Sequence, residues 1–268
     1  MKLLTRDETA DILHRYGIDK PYGTGFAFRD HARNTTYDWH THPYHQLIYA
    51  ASGAMRIETE AGQHILPLGQ AVWIPASIRH RTTIMDMDSA SLYFSPDCVI
   101  SGAERVRILH ANPLMREMIL YATHWPVGAS DHDPLACCFF QSLAMLCGEW
   151  LEDELPLFLP GARSTRITRA MDYALAAPGQ ATQAGAIAAA ALSERSFRRS
   201  FQRETGISWQ AWLTQARMLH AMSLLMEGQQ VTMVAAECGY ASLSAFAKAF
   251  AAVAGENPSV FRARQTQS

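Results

Sequence analysis

The chain has 268 residues, enough for two ordinary domains, and 49% hydrophobic against 18% charged residues excludes a largely disordered protein. The net charge of −2 conceals a split: residues 1–162 carry −7, residues 163–268 carry +5, and ten of the eleven histidines lie in the first part. An acidic, histidine-rich half joined to a basic half points to a sensing domain attached to a nucleic-acid binder.

The opening, MKLLTRDETADILHRY, is too charged for a secretory signal, and no uncharged run matches a membrane span. The five cysteines (Cys98, Cys137, Cys138, Cys147, Cys238) form neither a metal-ligand spacing nor an even disulfide framework. The expected location is the cytoplasm, with reduced thiols. Residues 5–16 read as a short helix capped by Thr5, with Glu8 reaching back as in a capping box. Residues 35–95 hold closely spaced β-rich runs, QLIYAA, AMRIET, HILPL, AVWIP, RTTIM and ASLYF, separated by turn residues, which predicts a barrel or sandwich. From about residue 103 the pattern becomes helical, through Ile108, Leu109, Met118, Leu143 and Trp150, and Cys137, Cys138 and Cys147 read as core. LPLFLPGAR at 155–163 reads as a linker. The predicted organisation is a β domain over 1–100, a helical connector over 101–154, and an all-α domain over 164–268. The connector's apolar stripe serves either to pair two protomers or to pack on the β domain.

Residues 193–212 and 242–261 repeat at an offset of 49: Ser193 matches Ser242, Phe197 Phe246, Phe201 Phe250, Gly206 Gly255 and Trp212 Phe261. Each copy reads as a serine-capped helix with an apolar i, i+4 pair and a glycine stop, preceded by a short apolar helix at 183–191 or 231–237. These are two helix-turn-helix units, about 183–204 and 231–253, separated by a long helix over 209–226. With Phe197 and Phe201 inward, helical phase puts Arg195, Arg198, Arg199, Gln202 and Arg203 on the opposite arc, a set suited to guanine edges and phosphates. The second copy presents Ser244, Ala247, Lys248 and Ala251 there. Unequal roles follow, with the first helix discriminating sequence and the second positioning the protein through Lys248.

The stretches SERSFRRSFQRETGISWQAWLTQARMLHAMSLL and VTMVAAECGYASLSAFAKAFAAVAGENPSVFR resemble the DNA-binding domain of the AraC/XylS family of bacterial transcription regulators. The resemblance implies seven helices reading two adjacent major-groove segments. Arg195, Arg198 and Arg199 would form the first reading set; Leu243, Ser244, Ala247 and Lys248 would form the second, where family members often carry polar residues at the first and third of these positions. It also implies control of RNA polymerase, most often as an activator.

The string WHTHPYHQLIYAASG places His40 and His42 two apart, with Gln46 four further on; on one strand all three share a face. His80 closes a second run, GQAVWIPASIRH. Three imidazoles and one amide oxygen suit a divalent transition metal such as Zn, Ni, Fe or Mn. This pattern resembles the two cupin motifs, with Gln46 where a glutamate is usual, and implies a cupin-like sensor. The residues admit a metal site or a polar pocket for an organic effector. Parity puts His45 outside, the GQH turn leaves His64 exposed, and Trp39, Tyr49 and Trp73 are candidates to line the pocket. The expectation is therefore an α+β regulator, not an enzyme, with double-stranded DNA and a small-molecule effector as partners and a homodimer as one assembly. The alternative is a metal-dependent, oxygenase-like cupin enzyme fused to a DNA-binding tail. Glu58 and Glu60 flank a turn and do not join the histidine string, which counts against it.

Overall fold

The computed structural model describes residues 2–20, 23–97 and 104–266; Cys98 lies outside them. The chain divides into two units, Met1–Thr59 with His64–Leu155, and Glu60–Gln63 with Pro156–Ser268.

The first unit runs β1 (Lys2–Leu3), α1 (Arg6–Arg15), β2 (Gly25–Ala32), β3 (Thr35–His40), β4 (His45–Ala50), β5 (Ala54–Thr59), β6 (Gly62–Leu66), β7 (Ala71–Ile74), β8 (His80–Met85), β9 (Met87–Phe94), β10 (Arg107–Leu109), α2 (Pro113–Ala122), α3 (Pro134–Trp150) and β11 (Glu154–Leu155). Thr5 and Glu8 make the reciprocal capping box expected for α1. The strands form two sheets, ordered β1-β3-β8-β5-β6 and β11-β10-β7-β4-β9-β2, so the described strands build an open pair of sheets and not a closed barrel. Gly53 makes the β4–β5 turn at φ +61°, where a Cβ would fall 2.1 Å from the Asp86 carbonyl oxygen.

The second sheet is buried on both faces. Leu47 and Tyr49 of β4, Ala71 and Trp73 of β7, and Leu92 and Phe94 of β9 pack under Met115, Ile119, Phe140, Leu143 and Trp150 of α2 and α3. Their alternating neighbours, Gln46, Ile48, Ser91 and Tyr93, line a cavity. The apolar stripe of the connector is therefore spent within the unit, through Leu109 and Leu143, and Ile108–Leu109 forms a strand on β7 where helix was expected. Leu135 and Met145 remain 67% and 76% exposed on the outer face of α3. Cys147 is buried as expected, but Cys138 is exposed and Cys137 only half-buried.

The second unit holds β12 (Phe158–Pro160), α4 (Thr165–Ala176), α5 (Gln183–Ala190), α6 (Glu194–Thr205), α7 (Trp209–Met226), α8 (Val231–Glu237), α9 (Leu243–Ala254) and α10 (Pro258–Thr266). The stretch expected as a linker is partly ordered as β12, and the Pro160 carbonyl accepts a bond from Trp212 Nε1 at 2.8 Å. Phe197, Phe201, Trp212, Phe246, Phe250 and Phe261 are fully buried, so the repeat is a repeat of core positions. Ser193 and Ser242 cap α6 and α9; Gly206 and Gly255 end them at φ +77° and +75°. Arg217 of α7 binds the α4–α5 loop, donating to the carbonyls of Pro178 (2.8 Å), Gly179 and Ala181 (3.3 Å each), while its own carbonyl accepts from Cys238 Sγ ahead of α9. Gly179 and Gly239 meet so closely that a Cβ on either would strike the other turn's backbone.

Candidate functional site

Between the two sheets of the first unit lies a cavity of about 80 Å³. Tyr37, His40, His80 and Thr82 reach it from one sheet; Phe28, Asp30, Gln46, Ser91 and Tyr93 reach it from the other; Ile12 and Leu13 of α1 and Tyr16 just after it cover one side. The histidine string does not lie on one strand. β3 ends at His40, His42 occupies the connection, and Gln46 belongs to β4 of the opposite sheet, so the chain crosses between sheets and still gathers the group. His40 pairs in register with His80, their rings 4.2 Å apart, and His42 lies 5.1 Å from His80.

Each of these imidazoles is anchored through Nδ1 to a backbone carbonyl: His40 to Asp38 at 2.7 Å, His42 to Tyr44 at 2.9 Å and His80 to Ile78 at 2.8 Å. Burial holds all three below the usual imidazole pKa, His42 at about 4 and His80 well below normal, and the proximity of His40 adds to both. Neutral rings that donate from Nδ1 present Nε2 as a bare acceptor. His42 Nε2 lies 3.1 Å from Gln46 Oε1, and Gln46 Nε2 donates to the Tyr93 hydroxyl at 2.6 Å. One ring proton cannot serve both Tyr44 and Gln46. A half-turn of the amide satisfies every group, with its N–H on His42 Nε2 and the Tyr93 O–H on its oxygen. Burial pushes the Tyr93 hydroxyl up and raises that of Tyr37 to about 12, so both phenols stay protonated. Among the described residues no lysine or arginine lines the cavity; its carboxylate, Asp30, accepts from the Tyr16 hydroxyl at 3.2 Å.

The donor set of three imidazoles and one amide oxygen is chemically apt for a divalent transition metal. Among the described residues no three His, Cys, Asp or Glu side chains are arranged to hold an ion.

Several expected pocket residues lie elsewhere. Tyr49 and Trp73 face the helical layer, and Trp39 sits under the Arg79 guanidinium, 4.9 Å from its ring centre. His45 is on the other face of β4, stacked on Trp73 and accepting from the Ala76 N–H at 3.1 Å. His64, expected in an exposed turn, is buried in β6, which lowers its pKa to about 4. The sequence reading missed Phe28, Tyr37 and Tyr93. Alternation in SLYF was the available signal for Tyr93, but it was hidden because Tyr93 stands between Leu92 and Phe94 and reads as core with them.

In the second unit, Arg195, Arg198, Arg199, Gln202 and Arg203 are all exposed on the arc of α6 opposite Phe197 and Phe201. Arg198 pairs with Glu194 and Arg203 with Glu204, whereas Arg195 and Arg199 enter no ion pair among the described residues. Glu204 instead accepts from the backbone N–H and hydroxyl of Ser164, at 2.9 and 2.8 Å, tying α6 to the start of α4. On α9, Leu243, Ser244, Lys248 and Ala251 are exposed and Ala247 is half-buried. The structure thus presents both arcs outward within the unit.

Both units match known families. Residues 23–154 match the family model of an AraC-like ligand binding domain, and residues 187–264 match that of a helix-turn-helix domain. The HTH-type transcriptional regulator NimR of Escherichia coli is 28% identical over 263 residues, covering 95% of this chain and 93% of that protein. The HTH-type transcriptional activator RhaR of Yersinia pseudotuberculosis is 35% identical over 78 residues, 29% of this chain and 27% of its own length. ToxT of Vibrio cholerae, a solved structure, is 12% identical with a TM-score of 0.40, covering 91% of this chain and 98% of that one. Two matched domains and a relative aligned along nearly the full length lead to one conclusion: the chain belongs to the AraC family of transcription regulators, with a ligand-binding unit followed by a DNA-binding unit of two helix-turn-helix motifs.

Proposed function

We propose that this regulator responds to a small, uncharged, flat molecule bound between the two sheets of its first unit. The observation that carries this reading is a cavity wall of neutral imidazoles and aromatic rings with no lysine or arginine among the described residues. A carboxylate or phosphate would find no counter-charge there and would meet Asp30 instead. The bare Nε2 atoms of His40 and His80 suit a ligand that donates hydrogen bonds, and the stacked rings of Tyr16, Phe28 and Tyr93 wall it with aromatic surface. A volume of about 80 Å³ is smaller than the about 150 Å³ in which an engineered apolar cavity holds benzene, so a larger ligand must displace Tyr16 and α1. Thermal-shift screening tests this: neutral heteroaromatic compounds should raise the melting point of the first unit, and stabilisation only by carboxylates would refute it.

In the second unit, Arg195, Arg198, Arg199, Gln202 and Arg203 supply hydrogen bonds to base edges and phosphates, while Ser244 and Lys248 position α9 on the backbone. The effector switches the protein by binding one arrangement more tightly than another, and activation proceeds through contact with RNA polymerase in the cytoplasm. Among the described residues no helix is long and apolar enough to cross a membrane. The outer face of α3, with Leu135, Cys138 and Met145 exposed and Glu149 at its end, pairs two protomers. Met145→Glu should then halve the mass measured by sedimentation equilibrium; an unchanged mass would remove α3 from any interface. The cavity senses its ligand and does not transform it, in keeping with the ligand-binding domain that this unit matches.

A second reading has His40, His42 and His80, with Gln46, hold a divalent transition metal. The common anchoring of three Nδ1 atoms on backbone carbonyls favours it, because metal-bound imidazoles are held in this way. Elemental analysis of protein purified without chelator tests it. Stoichiometric metal that vanishes in the His40→Ala, His42→Ala double variant supports the reading, and metal-free protein with full effector response ends it.

A further inference from the structure

We infer that the second reader helix, α9, recognises thymine, through contacts between Leu243 and Ala247 and the C5-methyl groups in the major groove. The inference rests on the DNA-reading role of the second helix-turn-helix motif and gives it a base preference.

The repeat sets the argument. Aligned on its buried phenylalanines, α9 places Ser244, Ala247, Lys248, Ala251 and Ala252 where α6 places Arg195, Arg198, Arg199, Gln202 and Arg203. Five long hydrogen-bonding side chains on one helix face five positions with a single cation on the other. The Ser244 hydroxyl lies 3.3 Å from the Ser242 hydroxyl, which caps α9 by accepting from the Ala245 N–H, so it stays beside the cap, where it suits a backbone contact. Apart from Ser244 and Lys248, the outward arc holds methyl groups.

Leu243 stands at the first turn of this helix and is 48% exposed. The first turn of a recognition helix is the part that enters the groove. An exposed leucine there gains only by meeting another apolar group. In the major groove, the C5-methyl of thymine is the apolar feature that base pairs present, and alanine-type side chains are suited to contact it. The short side chains of Ala247 and Ala251 let the helix approach the base edges closely, which a row of arginines would prevent. Lys248, one turn on, holds the backbone. The two motifs thus read by different chemistry: α6 by hydrogen bonds and α9 by methyl packing.

The test uses the full-length protein. Duplexes are first selected from a random-sequence pool, and the thymines of the half-site under α9, located by footprinting, are then replaced by deoxyuridine. This removes the methyl group and leaves every hydrogen-bonding group in place. Burial of one methyl corresponds to about threefold to fivefold in affinity, so each contacted thymine should cost about that factor when replaced. In Leu243→Ala, whose side chain is exposed, the penalty for at least one replacement should disappear. Deoxyuridine in the half-site under α6 should have a smaller effect. Unchanged affinity after every replacement under α9, or selection of a second half-site without thymine, overturns the inference while leaving DNA binding intact. Failure to select any sequence overturns the DNA-reading role itself.

Discussion

The two units treat charge in opposite ways. The first buries titratable groups and keeps them neutral: His42, His64 and His80 all lie well below the ordinary imidazole pKa because burial disfavours their charged forms. The second leaves its arginines outside, with Arg195 and Arg199 entering no ion pair among the described residues. A neutral interior selects an uncharged ligand by refusing solvation to ions. A bare cationic arc does the reverse, since it gains most from a polyanion. The sequence-level imbalance of −7 and +5 is the outer trace of this division, but it does not show that the first unit's cavity is walled mainly by neutral imidazoles and phenols, with Asp30 as its carboxylate.

Acid should separate the units most widely. His42 and His64 have folded pKa values of about 4, below the ordinary 6.5, so the unfolded chain takes up their protons first as pH falls. Their contribution is complete above pH 6.5 and is lost between 6.5 and 4. At pH 5 each should cost the first unit roughly 2 kcal/mol. The second unit carries one histidine, His220, and should hold its melting point between pH 7 and 5. Calorimetry at the two pH values checks this. Equal shifts in both transitions would break the comparison, and His42→Gln should flatten the first unit's response.

The second unit was far more legible in sequence than the first. Helix α6 is specified by residues between Ser193 and Gly206: a serine cap, two phenylalanines four apart and a glycine stop. A second copy of the same plan confirms the phase. The cavity depends on contacts between sheets. His40 and His80 meet because β3 pairs with β8, forty residues on, and that register leaves no local mark. His64 was misplaced because a glycine that precedes glutamine and histidine reads as a turn, whereas Gly62 begins a buried strand. Arg217 gave no signal at all, because an arginine on a helix reads as surface until the carbonyls it binds are known.

That clamp supplies the next expected effect. Arg217→Ala leaves three backbone carbonyls without their charged donor and should destabilise the second unit by about 2–3 kcal/mol, while the first unit is unaffected. Unfolding in urea, followed through Trp209 and Trp212, measures it. An equal change in the first transition would deny that the two units unfold separately.

The two reader helices sharpen the comparison within the second unit. Arg199→Ala should cost about 1–3 kcal/mol on the selected duplex and relax preference at one position. Lys248→Ala should weaken every duplex similarly and reduce the salt slope by about 1, the signature of a lost phosphate contact. Binding titrations at several salt concentrations distinguish the two. A uniform loss for Arg199→Ala would make α6 a clamp, and a sequence-dependent loss for Lys248→Ala would make it a base reader.

The smallest effect concerns the turns that aim these helices. Ala191 stands two residues before the α6 cap at φ +50°, a left-handed conformation that costs an L-residue about 1 kcal/mol. The turn before α9 places Gly239 at φ +80°, where no such cost arises. Ala191→Gly should therefore stabilise the second unit by about 0.5 kcal/mol, the relieved strain being partly offset by the freer unfolded glycine. Gly239→Ala should do the opposite and more strongly, because its Cβ would lie 2.3 Å from the Gly179 carbonyl oxygen. The pair of variants separates backbone strain from side-chain loss, since neither residue carries a functional group. If Ala191→Gly destabilises the unit instead, the alanine methyl contributes packing that outweighs its strained backbone, and the two turns differ by design of the contact rather than by tolerance of the residue.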